Sequence, residues 1–162
     1  MRFFKTFAER WIGLLGSPCT LCRDVAESTV AGLCFRCVRA VPWLEAQCRV
    51  CASPLRVDGI CGSCIARRDL PYIGASATLR FVEEGRLLIH RFKFQPRLDL
   101  AATLAGLMLL GRRPVFCAST TLVAIPISRQ RMRERGFNQA WQLASLLALE
   151  LGQPFHHRLI RR

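Results

Sequence analysis

The chain has 162 residues, of which 51% are hydrophobic and 22% charged, and its formal net charge is +13 at pH 7. This length can bury one hydrophobic core, or a small domain beside a medium one. The composition excludes a disordered or low-complexity chain, and the charge suits partners that carry phosphates or other acidic groups.

The first 18 residues are predicted to form an amphipathic helix. Lys5, Glu9 and Arg10 interrupt the apolar residues and no small-residue cleavage site follows, so the segment does not resemble a signal peptide. The apolar residues recur at helical spacing and would form one stripe packed on the rest of the protein. They are Phe3, Phe7, Trp11 and Leu14.

No segment predicts a membrane span. The longest apolar stretch, residues 98–111, contains Asp99 and is too short to cross a bilayer. Because a signal peptide is also not recognised, we expect a cytoplasmic protein whose cysteines stay reduced.

Eight of the nine cysteines form four C-x-x-C pairs. In a reducing compartment this spacing favours metal binding over disulfides, and a secreted disulfide scaffold is the alternative. Two pairs can place four thiolates around one Zn²⁺, each about 2.3 Å from it, with no position left open for water. We therefore predict two structural zinc ions. Their predicted ligands are Cys19, Cys22, Cys34, Cys37, Cys48, Cys51, Cys61 and Cys64.

The spacing leaves open which pairs share a metal. Sequential pairing joins the first pair to the second and the third to the fourth, whereas a cross-brace would interleave them. The intervals of nine to eleven residues between pairs suit two consecutive zinc ribbons, and a double zinc ribbon is predicted over residues 19–68.

Bound metal changes where the positive charge lies. Residues 1–70 carry ten basic and six acidic side chains, and eight thiolates with two Zn²⁺ would bring this region to about zero. Residues 71–162 carry fourteen basic and five acidic side chains, a net +9. The basic surface is therefore expected mainly in the second region.

Residues 71–162 predict strands that alternate with helices. A strand over 73–82 and a turn at 83–85 precede helices over 86–94 and 98–110, and a strand over 121–127 follows. The last predicted helix carries Trp141, Ala144, Leu147 and Leu151 on one face. This order is typical of an α/β domain with a doubly wound, mostly parallel sheet, in which ligands bind at the carboxyl ends of the strands.

A polar loop with the sequence RERGFNQ (133–139) connects the last predicted strand and helix. A helix N-terminus offers unpaired N–H groups and the positive end of the helix dipole, and glycine lets the backbone approach a ligand closely. The loop therefore predicts an anion-binding site; a solvated, arginine-rich helix start is the alternative.

Three sequence features together resemble the ComF family, also called GntX-like. They are the four C-x-x-C pairs, the tract LLIHRFKFQPRLDL (87–100) and the tract IPISRQRMRERGFNQ (125–139). The resemblance covers nearly the whole chain. It implies a double zinc ribbon followed by a type I phosphoribosyltransferase-like domain, here over residues 71–162, and a role in DNA uptake by competent bacteria.

The resemblance also suggests a ligand for the loop. An Arg-Gly-Phe loop at this place in phosphoribosyltransferases is similar to the one that holds the pyrophosphate of phosphoribosyl pyrophosphate (PRPP). Planar guanidinium groups can hold phosphate oxygens through paired hydrogen bonds. The expected side-chain ligands are Arg131 and Arg135, with Lys93 and Arg97 also in reach. Gly136 and Phe137 would donate backbone N–H groups, and Asn138 and Gln139 would cap the helix or hydrogen-bond the ligand.

One departure from the family pattern bears on activity. The resemblance implies a later strand with two adjacent acidic residues and a Thr-rich, Gly-containing loop, which hold the ribose and its 5-phosphate. Glu83-Glu84 is followed by Gly-Arg, and Thr120-Thr121 has no acidic pair before it. The chain is therefore expected to be a truncated member with an incomplete, inactive phosphoribosyltransferase-like domain, and no catalytic residue is assigned.

Two classes of function follow. The first is a phosphoribosyltransferase-like, glycosyltransferase-class protein of DNA uptake that binds PRPP or pyrophosphate. The second is a zinc-dependent module that binds single-stranded DNA, or docks other DNA-uptake proteins, without enzymatic activity.

Overall fold

The structure, a computed structural model, describes residues 16–67, 69–95, 98–111, 120–156 and 159–160 of the chain. Within these ranges it is a mixed α/β structure. Its elements in chain order are β1 (Ser17–Pro18), β2 (Val25–Ala26), α1 (Phe35–Ala40), α2 (Gly62–Ala66), α3 (Glu83–Phe94), α4 (Leu98–Gly111), β3 (Leu122–Val123), α5 (Arg129–Arg135), α6 (Gln139–Leu151) and β4 (Phe155–His156).

Two expectations fall wholly or mostly outside the described residues. Arg97 is one of them. Of the predicted N-terminal helix over 1–18, only residues 16–18 are described, and there the prediction is wrong. Ser17 and Pro18 form strand β1, which pairs antiparallel with β2 in the register Ser17 to Ala26.

The cysteine-rich region and the helices after it share one hydrophobic core. Buried residues of the first cysteine loops pack in one cluster with the apolar faces of α3 and α4. Burying a leucine or phenylalanine side chain of this kind stabilises the fold by about 1.5–3 kcal/mol. The cluster contains Cys19, Leu21, Leu33, Cys37, Val41, Leu88, Phe92, Leu100, Ala101, Leu104 and Leu107.

Close backbone packing joins the first cysteine loops to α4. Gly32 has a positive φ of 75°, and a Cβ there would lie 2.8 Å from Thr103 Oγ1 and 3.0 Å from Thr20 Oγ1. The hydroxyl of Thr103 in turn donates to that of Thr20 over 3.2 Å, and both residues are buried. The turn at Gly32 therefore requires a residue without a side chain, both for its backbone conformation and for space.

The two predicted central helices are confirmed with small changes at their ends. The predicted helices over 86–94 and 98–110 are α3 and α4, and they end at Phe94 and Gly111. Glu83 to Gly85, predicted as a separate turn, form the first turn of α3. Acidic residues are favoured there because they interact well with the positive end of the helix dipole.

The predicted strand over residues 73–82 is not a strand. The segment runs beside residues 42–49 of the cysteine-rich region, and within the described part of the chain its one backbone bridge pairs Leu79 with Trp43. The apolar alternation of this segment does not produce a buried face, since Ile73 and Phe81 are exposed and Leu79 is half-buried. Its neighbour is a loop that offers too few regularly spaced partners for a ladder.

The predicted strand over 121–127 is reduced to β3, which pairs in parallel with β4 in the register Leu122 to Phe155. Pro126 cannot donate to a ladder, and only the short segment Phe155–His156 lies alongside. Among the described residues, the predicted doubly wound parallel sheet is thus represented by this one parallel pair.

The predicted polar loop is also different, because residues 129–135 form helix α5. Ser128 caps this helix by accepting a hydrogen bond from the N–H of Arg131 over 3.3 Å, and Gly136 ends it in the left-handed conformation. The residues between them are good helix formers, so the local signals agree. None of the described helices is long and apolar enough to cross a membrane.

Candidate metal centres and anion-binding turn

The first two C-x-x-C pairs converge on one point. Their sulfur atoms all lie within 4.8 Å of one another, and Cys22 Sγ is 3.8 Å from Cys34 Sγ. The N–H of Cys34 also donates to Cys19 Sγ over 3.3 Å. Four sulfurs at this spacing, two on a turn and two at the start of α1, form the first metal group: Cys19, Cys22, Cys34 and Cys37.

The last two pairs repeat this geometry. Cys51 Sγ lies 3.7 Å from Cys61 Sγ, and the N–H of Cys61 donates to Cys48 Sγ over 3.3 Å. Cys51 also donates to Ser53 Oγ over 3.1 Å. The second metal group is Cys48, Cys51, Cys61 and Cys64. The pairing is therefore sequential, and the cross-brace alternative is excluded.

The distances fit tetrahedral zinc. Four sulfurs about 2.3 Å from a central Zn²⁺ are separated from one another by about 3.8 Å, the edge of the tetrahedron. One sulfur pair in each group, at 3.8 Å and 3.7 Å, matches that edge. Each group could thus bind one zinc ion through four protein sulfurs, an arrangement typical of structural sites.

The surroundings of the two groups shift the thiol pKa values in a matching pattern. Burial acts to raise the pKa of Cys19, but the N–H groups of Cys34, Cys22 and Leu21 outweigh it and lower this pKa to about 6. The N–H of Cys61 is the main cause that lowers the pKa of Cys48, also to about 6.

The last cysteine of each group behaves in the opposite way. Burial raises the pKa of the Cys64 thiol to about 12, and burial likewise raises the pKa of Cys37 above its ordinary value. The first cysteine of each group is therefore preorganised as a thiolate, the form that binds metal, by backbone N–H groups of its own C-x-x-C turn and of the second pair in its group.

A short turn joins α5 to the longer helix α6. Asn138 directly precedes α6 and caps it, since its side chain accepts a hydrogen bond from the N–H of Trp141 over 3.2 Å. Its Nδ2 donates to the carbonyl of Ile125. Of the two roles expected for Asn138, the structure therefore shows capping. The N–H of Gly136 donates to the carbonyl of Met132 over 2.8 Å. In this conformation that N–H ends α5 and is not free to donate to an anion, contrary to the role expected for it.

Arg135 lies where α3, α5 and α6 meet. Its guanidinium carbon is 5.5 Å from the centroid of the Phe94 ring, and its Nη1 donates to Gln139 Oε1 over 3.4 Å. Its Nε is buried and has no hydrogen-bond partner among the described residues. Because a buried donor without an acceptor is costly, an anion reaching this side chain would supply a missing partner.

Three other expected ligands, Arg131, Lys93 and Phe137, lie on α5, on α3 and in the turn before α6, respectively. Arg131 is exposed on α5, four residues before Arg135 and so on the same face of the helix. The carbonyl of Lys93 accepts from Gln139 Nε2 over 3.5 Å, and its ammonium lies 5.8 Å from the centroid of the Phe81 ring. The ring of Phe137 packs on that of Phe92, with centroids 5.9 Å apart, which anchors the turn to the core.

Sequence reasoning missed three contacts that position these sites. Phe94 lies under Arg135, Thr20 pairs with Thr103, and Gln47 bonds to Ala77. Only Phe94 carried a signal, since it follows Lys93 within the tract 87–100. The other two contacts involve the buried polar residues Thr20, Thr103 and Gln47, whose burial depends on which distant segment packs against them.

The chain is similar to several curated proteins. It is 31% identical over 150 residues to the "DNA utilization protein YhgH" of Salmonella typhimurium, covering 89% of this chain and 66% of that protein. It is 27% identical over 154 residues to the "Competence protein F" of Haemophilus influenzae, covering 89% and 65%. It is 30% identical over 138 residues to the "Competence protein ComFC" of Bacillus subtilis, covering 80% and 55%.

The chain thus spans between 55% and 66% of the length of these three relatives. No protein-family model matches it, and no solved structure matches it significantly. The similarity to DNA-utilization and competence proteins, together with the two four-cysteine groups, supports a ComF-like family for this chain.

Proposed function

We propose that the chain is a ComF-like protein of DNA utilization or uptake, held together by two structural zinc ions in the reducing cytoplasm, that binds the pyrophosphate group of PRPP at the turn between α5 and α6. The observation that carries the ligand proposal is the placement of Arg135. A guanidinium group held over Phe94, with a buried Nε that lacks a partner among the described residues, faces the start of a 13-residue helix. The printed names of the relatives support the role in DNA metabolism.

Two features of the turn support an anion over a neutral ligand. Helix α6 brings the positive end of its dipole to the turn. The preceding seven-residue helix carries four arginines, Arg129, Arg131, Arg133 and Arg135, against the single acid Glu134. The side chain of Gln130 donates to that acid over 2.9 Å, and the carboxylate is exposed. The domain containing this turn is proposed to be phosphoribosyltransferase-like on the resemblance of the two tracts.

Isothermal titration calorimetry with pyrophosphate and with PRPP tests the proposal. The double variant Arg131→Ala/Arg135→Ala should lose about 1.5–3 kcal/mol of binding free energy for each charge-assisted hydrogen bond removed. The matched control is Arg129→Ala/Arg133→Ala, which removes the same charge from the other side of α5. Equal losses in both variants would indicate diffuse charge attraction and contradict a defined site.

A second function, binding of single-stranded DNA, is favoured by exposed groups beside the turn. Trp141 is 45% exposed and could stack on a base. Arg129 and Arg133 are exposed and, by helical spacing, lie on the opposite side of α5 from Arg131 and Arg135. The two functions are separable, because DNA binding should respond to the control variant above and pyrophosphate binding should not.

Docking of other DNA-uptake proteins is proposed for the second cysteine group. Val57 and Ile65 are 77% and 69% exposed there and offer apolar area that a partner could cover. Pull-down with Val57→Ser/Ile65→Ser would test this role, since loss of a partner at unchanged zinc content would support it.

A further inference from the structure

Gln47 links the second metal group to a distant segment. It directly precedes Cys48, is only 2% exposed, and its N–H donates to Asp58 Oδ1 over 2.9 Å. Its side-chain amide bonds twice to the backbone of Ala77. The N–H of Ala77 donates to Gln47 Oε1 over 2.8 Å, and Gln47 Nε2 donates to the carbonyl of Ala77 over 2.9 Å. The side-chain amide of Gln47 therefore pairs with Ala77 in the way that a peptide group of a neighbouring strand would.

The segment that contains Ala77 follows the backbone around the second metal group. The N–H of Leu44 donates to the carbonyl of Thr78 and the N–H of Arg80 donates to that of Pro42, both over 2.9 Å. A Cβ on Gly74 would lie 2.7 Å from the carbonyl oxygen of Arg49, so the two backbones are in direct contact. Residues 74–80 are thus held against backbone segments that precede and follow Gln47 in the chain.

The same segment forms one wall of a cavity of about 440 Å³. Thr78 and Leu79 of this segment line the cavity together with Lys93 of α3 and Leu143 of α6. Among the described residues that line the cavity none is acidic, and Lys93 and Arg80 supply positive charge. The cavity lies next to the turn between α5 and α6, because the carbonyl of Lys93 accepts from Gln139.

We propose that Gln47 is a positioning residue that couples metal binding at Cys48, Cys51, Cys61 and Cys64 to the wall of this cavity. With metal bound, Gln47 is fixed by its neighbour Cys48 and holds residues 74–80 in place. When the metal is lost, the loop that carries Cys48 loses the metal–sulfur bonds that stabilise its fold. Residues 74–80, which form the cavity wall, are then no longer held in place. Anion affinity beside Lys93 then falls, a consequence that rests on the proposed function.

The variant Gln47→Met tests the coupling, because methionine has nearly the same shape but makes neither amide bond. Hydrogen exchange at the N–H groups of Ala77 and Arg80 should speed up about tenfold, the scale for losing such hydrogen bonds. Zinc content should stay at two, and the amides of α4 should not change. The control is Gln142→Met, the same replacement on α6.

Emptying the second group with Cys51→Ser/Cys64→Ser should speed exchange of the same two N–H groups. Adding Gln47→Met to that variant should then have little further effect, since both changes act on one link. Unchanged exchange in Gln47→Met, or fully additive effects in the combined variant, would overturn the inference.

Pyrophosphate titration separates this inference from the proposed function. Both sets of variants should bind pyrophosphate more weakly than the unmodified protein. If the unmodified protein bound no pyrophosphate, the proposed ligand would be wrong, while the exchange measurements would still decide whether Gln47 couples metal to the wall. If the variants lost exchange protection at Ala77 and Arg80 but kept their pyrophosphate affinity, the expected effect of residues 74–80 on anion binding would be wrong.

Discussion

The guanidinium carbon of Arg135 lies 5.5 Å from the centroid of the Phe94 ring, so the last residue of α5 rests on the last residue of α3. A cation over an aromatic face is attracted by the ring quadrupole and gains about 0.5–1 kcal/mol at a partly exposed site. The contact fixes the direction of a long side chain that would otherwise lose conformational entropy on binding a ligand. Phe94 therefore helps to preorganise Arg135.

Phe94→Leu should weaken pyrophosphate binding about two- to fivefold, because leucine keeps the apolar contact but lacks the ring quadrupole. Calorimetric titration would measure this change. Phe35→Leu is the matched control, since Arg39 lies over the Phe35 ring at 5.6 Å in the zinc-ribbon region, remote from the turn in sequence. A comparable loss in both variants would contradict the role given to Phe94.

The sequential pairing of cysteines can be tested by zinc content. Cys48→Ser/Cys64→Ser removes two ligands of the same group, so elemental analysis should find about one zinc per chain. Cys22→Ser/Cys51→Ser removes one ligand from each group and should leave neither group intact. A cross-brace that joins the first pair to the third would give the opposite result for both variants.

The two metal groups should differ in their effect on stability. Cys19 and Cys37 belong to the core shared with α3 and α4, whereas the second group lies outside this cluster. Cys22→Ser should therefore lower the melting temperature more than Cys51→Ser, its counterpart in the second group. We expect a difference of at least about 5 °C, which corresponds to roughly 2 kcal/mol for a chain of this size. Calorimetric melting curves with equal effects would argue against a shared core.

Local patterns in the sequence predicted the metal groups and the central helices well. A C-x-x-C turn carries its geometry within four residues, and α3 and α4 have apolar faces long enough to be recognised. The helix α5 was recognisable too, from Ser128 as its cap and Gly136 as its end. The prediction of a loop over 133–139 was wrong at residues 133–135, because charged residues fill the helix and no apolar period marks it.

Contacts between distant segments were not predictable in this way. Residues 73–82 have the alternation of a strand, but the partner that decides their structure is the loop around Gln47, thirty positions away. Likewise, nothing local marks Thr20 and Thr103 as a buried pair. Such pairs depend on the tertiary packing of the whole chain, which overrides the local β-propensity.

Binding of single-stranded DNA should depend steeply on salt and little on sequence. Each phosphate neutralised contributes about −0.7 to the slope of log affinity against log salt on a single strand. Arg129→Gln/Arg133→Gln should therefore make the slope shallower by up to about 1.4 for two lost contacts. Arg36→Gln/Arg49→Gln, two exposed residues of the zinc-ribbon region, should change it less, as fluorescence anisotropy would measure. The reverse order would contradict our placement of the basic surface.

Residues 1–162 tested alone should not transfer a phosphoribosyl group. Transfer requires the pyrophosphate and the ribose 5-phosphate to be gripped together while charge develops at the anomeric carbon, and catalysis of this kind depends on positioning and preorganised electrostatics. The turn at Arg135 offers candidate residues for binding the pyrophosphate. For binding the ribose 5-phosphate, the sequence contains no adjacent acidic pair followed by a Thr-rich, Gly-containing loop. Weak pyrophosphate binding without base-dependent release of pyrophosphate from PRPP is the expected result. Robust release with any nucleobase would show that the acidic-pair loop is not required.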